Sequence, residues 1–244
     1  MRLILLVAAL FGTLSAEAIL IRPDRDDAEY VELATRYPSA IEIGPGLEGV
    51  LILPRWVLTS ARCAMRLQGA NARPPLVIGG KPNAIEATFI HPEWKQGTDA
   101  DIALVFLREP VTTITPVELS GYRDEIDEVM FVVGHGETGK LGESARRTDG
   151  KKRAAINTVD RVLPATLGLR IKPADAASDL QGGPAPSEQG APLYLELSGT
   201  TYIAGIFSAN EGDWQLFVRV STYTKWINDT IFKAATAEVP ARSK

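Results

Sequence analysis

Trp56-Val57-Leu58-Thr59-Ser60-Ala61-Arg62-Cys63 is the stretch whose reading decides the fold: a short β-rich run that ends in polar residues and a turn. Similar runs recur at 49–53, 85–90, 102–107, 129–133, 202–207 and 215–220, separated by Gly, Pro and polar turns. Such spacing predicts a β-sandwich or β-barrel. One helix is expected near the end, with Ser221 as its cap and Tyr223, Trp226, Ile227 and Ile231 on one face. A chain of 244 residues, 45% hydrophobic and 23% charged, can bury one substantial core as one or two domains. Its net charge of -4 favours neither nucleic acid nor an anionic membrane surface as partner. Arg2, an apolar run over 3–10 and Ala16-Glu17-Ala18 read as a cleavable signal peptide over residues 1–18. That run is too short to span a bilayer, and no membrane span is expected in the mature form.

Other segments extend the reading outward in a fixed order. Val50-Leu51-Ile52-Leu53-Pro54-Arg55 comes first. His91-Pro92 then leads to Asp101-Ile102-Ala103-Leu104-Val105-Phe106-Leu107, closed by Glu109-Pro110-Val111. After these come Val132-Val133-Gly134-His135-Gly136, then Ser187-Glu188-Gln189-Gly190-Ala191-Pro192-Leu193, Gly205-Ile206-Phe207-Ser208 and Val220-Ser221-Thr222-Tyr223-Thr224-Lys225-Trp226-Ile227. On these residues the chain resembles the trypsin/chymotrypsin-like serine protease family, as a secreted member of bacterial type. The resemblance implies an all-β fold of two six-stranded antiparallel β-barrels with a C-terminal α-helix. The first barrel would cover 19–120, the second barrel and helix 121–236, with a disordered tail over 237–244.

The same resemblance assigns the catalytic stations to Arg62, Asp101 and Gln189, and the oxyanion-hole positions to Ser187 and Gln189. Only Asp101 matches the family, whose chemistry needs a hydroxyl nucleophile, an imidazole base and an orienting carboxylate. Arg62 stays protonated and has no lone pair to accept a proton. The amide nitrogen of Gln189 is delocalised and does not attack a carbonyl. A second register, Asp179-Leu180-Gln181-Gly182-Gly183-Pro184, also resembles the nucleophile loop, and it too carries glutamine. In place of catalysis, a bidentate pair between Arg62 and Asp101 is expected. Gly183 falls where trypsin carries its pocket aspartate, so no preference for basic side chains is implied.

Cleavage after Ala18 would start the mature chain at Ile19, and the resemblance then pairs its ammonium with Glu188. The lone Cys63 lacks the family's disulfide partner, whose place falls at Leu47, and reads as a small buried apolar residue. His91 and His135 read as surface or turn residues, and the basic run 146–153 as a solvated loop. No cofactor or metal is expected, since no close-spaced ligand set is present. The expected protein is secreted or periplasmic and monomeric, without peptidase activity, and binds a protein or peptide through the former cleft and its loops. The alternatives are a serine-type endopeptidase with rearranged or residual activity, and a scaffold with no cleft function.

Overall fold

The apolar runs form strands in which burial follows the pleat, and their turns set two sheets side by side. The computed structural model describes residues 19–69, 75–97, 99–143, 147–173, 176–185 and 188–242. The first half contains β1 (Leu20–Ile21), α1 (Asp27–Ala34), β2 (Ala40–Gly44), β3 (Leu47–Leu53), β4 (Trp56–Thr59) and α2 (Ala61–Gly69). It continues through β5 (Leu76–Ile78), β6 (Lys81–Asn83), β7 (Ile85–Ile90) and β8 (Ala103–Leu107). The second half contains β9 (Glu118–Leu119), β10 (Val129–Lys140), β11 (Arg147–Val162), β12 (Thr166–Arg170) and β13 (Gly182–Gly183). It ends with β14 (Pro192–Leu197), β15 (Thr200–Glu211), β16 (Trp214–Arg219) and α3 (Val220–Arg242).

In the second half β10, β11, β12, β16, β15 and β14 pair in turn, and β14 returns to β10. This is one closed six-stranded antiparallel barrel, and closure removes the free edges that a strand otherwise presents. The first half is different from the expected second ring. Its strands run β2-β3-β4-β8-β7 as an open five-stranded antiparallel sheet, and β5 and β6 pair only with each other, so no hydrogen-bonded closure is found among the described residues.

Three apolar clusters fill the interior. One lies inside the closed barrel around Val132, Leu167, Leu193 and Phe217, and another under the open sheet around Ile43, Leu47, Val57 and Leu107. The third joins Leu58 and Leu104 of the open sheet to Tyr194 and Ile206 of the barrel. Each such side chain contributes about 1.5–3 kcal/mol on full burial, so the shared cluster holds the two halves together.

Three local expectations change. Ser221 is not the cap of the last helix: α3 already begins at Val220, and Ser221 Oγ is buried without a hydrogen-bond partner. The apolar face is as expected, with Tyr223 and Ile227 buried and Trp226 and Ile231 packed against the same cluster. The helix runs on to Arg242, into the segment expected as a tail. The basic run is not a solvated loop, because most of it lies in β11, whose register against β10 shifts around Gly150 with φ 67°. Arg153 there is fully buried and bonds Asp27 at 2.6 and 2.8 Å and Asp149 at 2.9 and 2.6 Å. Its residue 146 lies outside the described residues.

Candidate active-site cleft

Asp101 sits just before β8, fully buried, and faces the first turn of α2. Ser60 caps that helix by accepting the Cys63 amide at 3.1 Å, which leaves the Arg62 amide free to donate to Asp101 Oδ1 at 3.0 Å. A carboxylate against the exposed amides of a helix N-terminus is favourable. The Arg62 side chain folds back over the same group, with Nε 3.0 Å from Asp101 Oδ2. The pair is not the bidentate fork expected, since Nε is not aligned for a hydrogen bond and Nη2 reaches instead to Ser208 Oγ at 3.4 Å. Ser208 completes the set from the other half of the molecule, donating its hydroxyl to Asp101 Oδ2 at 2.8 Å. Sequence reasoning quoted Ser208 at the end of a strand motif without giving it a role.

Gln189 is brought against Cys63, the neighbour of Arg62. Its carbonyl accepts the Glu48 amide at 3.0 Å and the Cys63 thiol at 2.9 Å. Its own Oε1 is buried with no hydrogen-bond partner among the described residues. The competing glutamine, Gln181, is far from this place: its carbonyl accepts Tyr30 and its side chain donates to the Lys172 carbonyl. Ser187 lies outside the described residues. A cavity of about 360 Å³ opens here, lined by Arg62, Asp99, Thr166, Ser208, Glu211 and Phe217. A larger, mainly apolar one of about 410 Å³ lies on the open sheet near Ile43, Leu47 and Val77. Arg62, Asp99 and Glu211 bring charge of both signs to the smaller.

Ile19 is fully buried, and its backbone amide is near enough to the buried Glu188 carboxyl to act on its titration, in the lowering direction. Glu188 accepts the Ala185 amide at 3.2 Å, while its Oε1 has no hydrogen-bond partner among the described residues. Burial, followed by the nearby Glu48 charge, pushes the Glu188 carboxyl well above the usual carboxylate range. Gly134 makes room for it, because a Cβ there would lie 2.8 Å from Glu188 Cδ. Glu48 was missed as a site residue. It is fully buried and binds His135 twice, accepting the amide at 2.8 Å and contacting Nδ1 at 2.9 Å. Its signal was a lone acid inside the apolar strand Leu47–Leu53. His91 is also not a surface residue. It is buried edge-on between Tyr223 and Trp226, and burial lowers its pKa.

Cys63 and Leu47 share one apolar cluster, where the family would place a disulfide. Burial pushes the thiol up to about 11, so roughly one in a thousand is ionised at pH 8. Native protein is therefore expected to resist a thiol reagent at pH 8 and to react at one site per chain once unfolded in urea; rapid native labelling would contradict the burial.

Arg62 offers charge and donors but no lone pair, and Ser208 spends its proton on Asp101. Among the described residues no group of three or more His, Cys, Asp or Glu is placed to hold a metal, and no helix is long and apolar enough to cross a membrane. The trypsin family model matches residues 36–227, and the chain belongs to that family. It is 29% identical to a trypsin of Simulium vittatum over 61% of this chain and 65% of the relative. It is 27% identical to vitamin K-dependent protein C of Rattus norvegicus, over 75% of this chain and 45% of the relative. Snake venom serine proteinase 11 of Crotalus adamanteus is 26% identical over 97% of this chain and 96% of its own length. The chain thus spans less than two thirds of the first two of these relatives.

Proposed function

We propose that the protein is a secreted trypsin-family homologue without peptidase activity, which binds another protein through the cleft around Arg62 and its loops. The observation that carries this reading is the Arg62 Nε at 3.0 Å from Asp101 Oδ2. The carboxylate that would orient a base has as its partner a cation that cannot take up a proton. Gln189 at the nucleophile station supplies no attacking oxygen. Removing one member of such a triad costs on the order of ten-thousandfold in rate, and here two are replaced. Export follows the signal-peptide reading of residues 1–18, and a venom proteinase among the relatives is in keeping with it. Cleavage after Ala18 would turn the Ile19 amide beside Glu188 into an ammonium and complete a buried ion pair.

A serine endopeptidase with residual activity is the second reading, favoured by relatives whose names are those of proteases. One experiment separates the two. The purified mature protein should leave casein and a panel of peptide esters uncleaved and take up no fluorophosphonate probe. Labelling of any side chain, Ser187 first among them, would restore the enzyme reading. Restoring both groups with Arg62→His and Gln189→Ser then asks whether the frame is still competent, with any gained ester turnover counting as yes.

A further inference from the structure

We infer that Gln215 plugs the side-chain pocket which the trypsin layout opens at Gly183, so that partners cross this cleft without inserting a side chain. The inference rests on the protein-binding reading above and adds what such a partner can present: backbone and surface contacts, with no deep anchor.

Gln215 lies on β16, opposite Leu169 of β12, and is 6% exposed. Its amide occupies the space that a side chain at Gly183 would need. A Cβ built at 183 would fall 2.5 Å from Gln215 Cδ and closer still to both heteroatoms of the amide. Residue 183 can therefore have no side chain while residue 215 has this one. The two positions form a single exchange, in which the floor has lost its side chain and the facing wall fills the space.

Packing alone does not account for the choice of residue. Gln215 Oε1 is buried without a hydrogen-bond partner among the described residues, and an unpaired buried amide oxygen is unfavourable where an apolar side chain of similar size would carry no such cost. Gly182 likewise has no room for a side chain, because a Cβ there would run into the Leu20 carbonyl oxygen and fall 2.7 Å from Ala155 Cβ. Truncating Gln215 should therefore open a small cavity over Gly183. Its floor at Gly183 carries no charge, so the ligand it would take is a neutral, planar aromatic molecule rather than an amidinium.

The test titrates phenol and benzamidine against the mature wild-type protein, Gln215→Gly and Gln215→Leu, following ligand signals by saturation-transfer NMR. Gln215→Gly should bind phenol at least ~10-fold more tightly than wild type or Gln215→Leu, a difference that corresponds to the space of a few buried atoms. Benzamidine should bind the opened variant no better than phenol. Wild type binding phenol as tightly as Gln215→Gly would overturn the plug, as would a folded Gln215→Gly that gains no binding. Should Gln215→Gly fail to fold, Gln215→Ser gives the same two outcomes. Hydrolysis by the wild type bears only on the proposed function, since it reports the groups at Arg62 and Gln189 and leaves the phenol comparison unchanged.

Discussion

Gly190→Ala should lower the unfolding free energy by about 3 kcal/mol or more, read as a fall in the urea midpoint at unchanged slope. Gly190 has φ +87°, where a side chain is strained whatever the space around it. Its Cβ would also run into the Glu48 carbonyl and approach Thr59 Oγ1 to 2.6 Å. Neither neighbour can give way. Thr59 donates its hydroxyl to that same carbonyl at 2.5 Å, both residues are fully buried, and the Gly190 amide is tied to the Phe207 carbonyl at 2.9 Å. Gly212 supplies the control, since it has φ +57° and nothing within 4 Å of a Cβ. Gly212→Ala carries only the left-handed backbone cost of about 1–2 kcal/mol. If Gly190→Ala is no worse than Gly212→Ala, the crowding at Glu48 and Thr59 is not real. A bulky residue at 190, which from sequence looks like a simple way to block the cleft, would thus break the loop that holds Gln189 before it blocked anything.

The local pattern of apolar residues was enough to find several short strands and the apolar parts of β10 and β15, but not β11. Residues 85–90 form β7 as expected, 102–107 starts one residue before β8, and 215–220 is shifted by one residue from β16. Where side-chain partners come from far away in the chain, the pattern is silent. Arg153 looks like part of a solvated basic run because the Asp27 that neutralises it lies 126 residues earlier, on α1. Gly150 and Asp149 read as loop residues, yet they lie inside β11 where its register against β10 shifts, and Asp149 supplies a second carboxylate for Arg153. The helix α1 was legible and was passed over: Asp26 and Glu29 form a reciprocal capping box, the kind of start signal that a sequence shows directly. At the cleft, the resemblance supplied Arg62 and Asp101, whereas Ser208, Glu48 and the Gln215–Gly183 contact come from residues in separate strands. No periodicity within one segment could have joined them.

Glu188→Gln should have opposite effects in the full chain and in a chain made to begin at Ile19, the start that the proposed cleavage would give. In the chain that keeps residues ahead of Ile19, Glu188 faces a neutral amide, one of its oxygens has no partner among the described residues, and burial together with Glu48 raises its pKa well above the usual value. The carboxyl then holds its proton in the folded state at pH values where the unfolded chain, titrating near about 4.3, has lost it. Stability is full below that unfolded value and falls as pH rises from there toward the folded pKa. Glutamine mimics the protonated form, so the substitution should flatten this slope and raise the melting temperature at pH 8 relative to the parent. In a chain that begins at Ile19 the neighbour is an ammonium, and the carboxylate becomes its counter-ion. Removing the charge there leaves a buried cation unpaired, at a cost of about 3–5 kcal/mol. Melts of the four proteins at pH 5 and pH 8 decide the matter. A common sign in both forms would mean that the Ile19 terminus does not reach Glu188 after cleavage, and the pairing would have to be abandoned. Opposite signs would mean that removal of the leader completes the charge pair, in a cleft whose Arg62 and Gln189 still supply no base and no nucleophile.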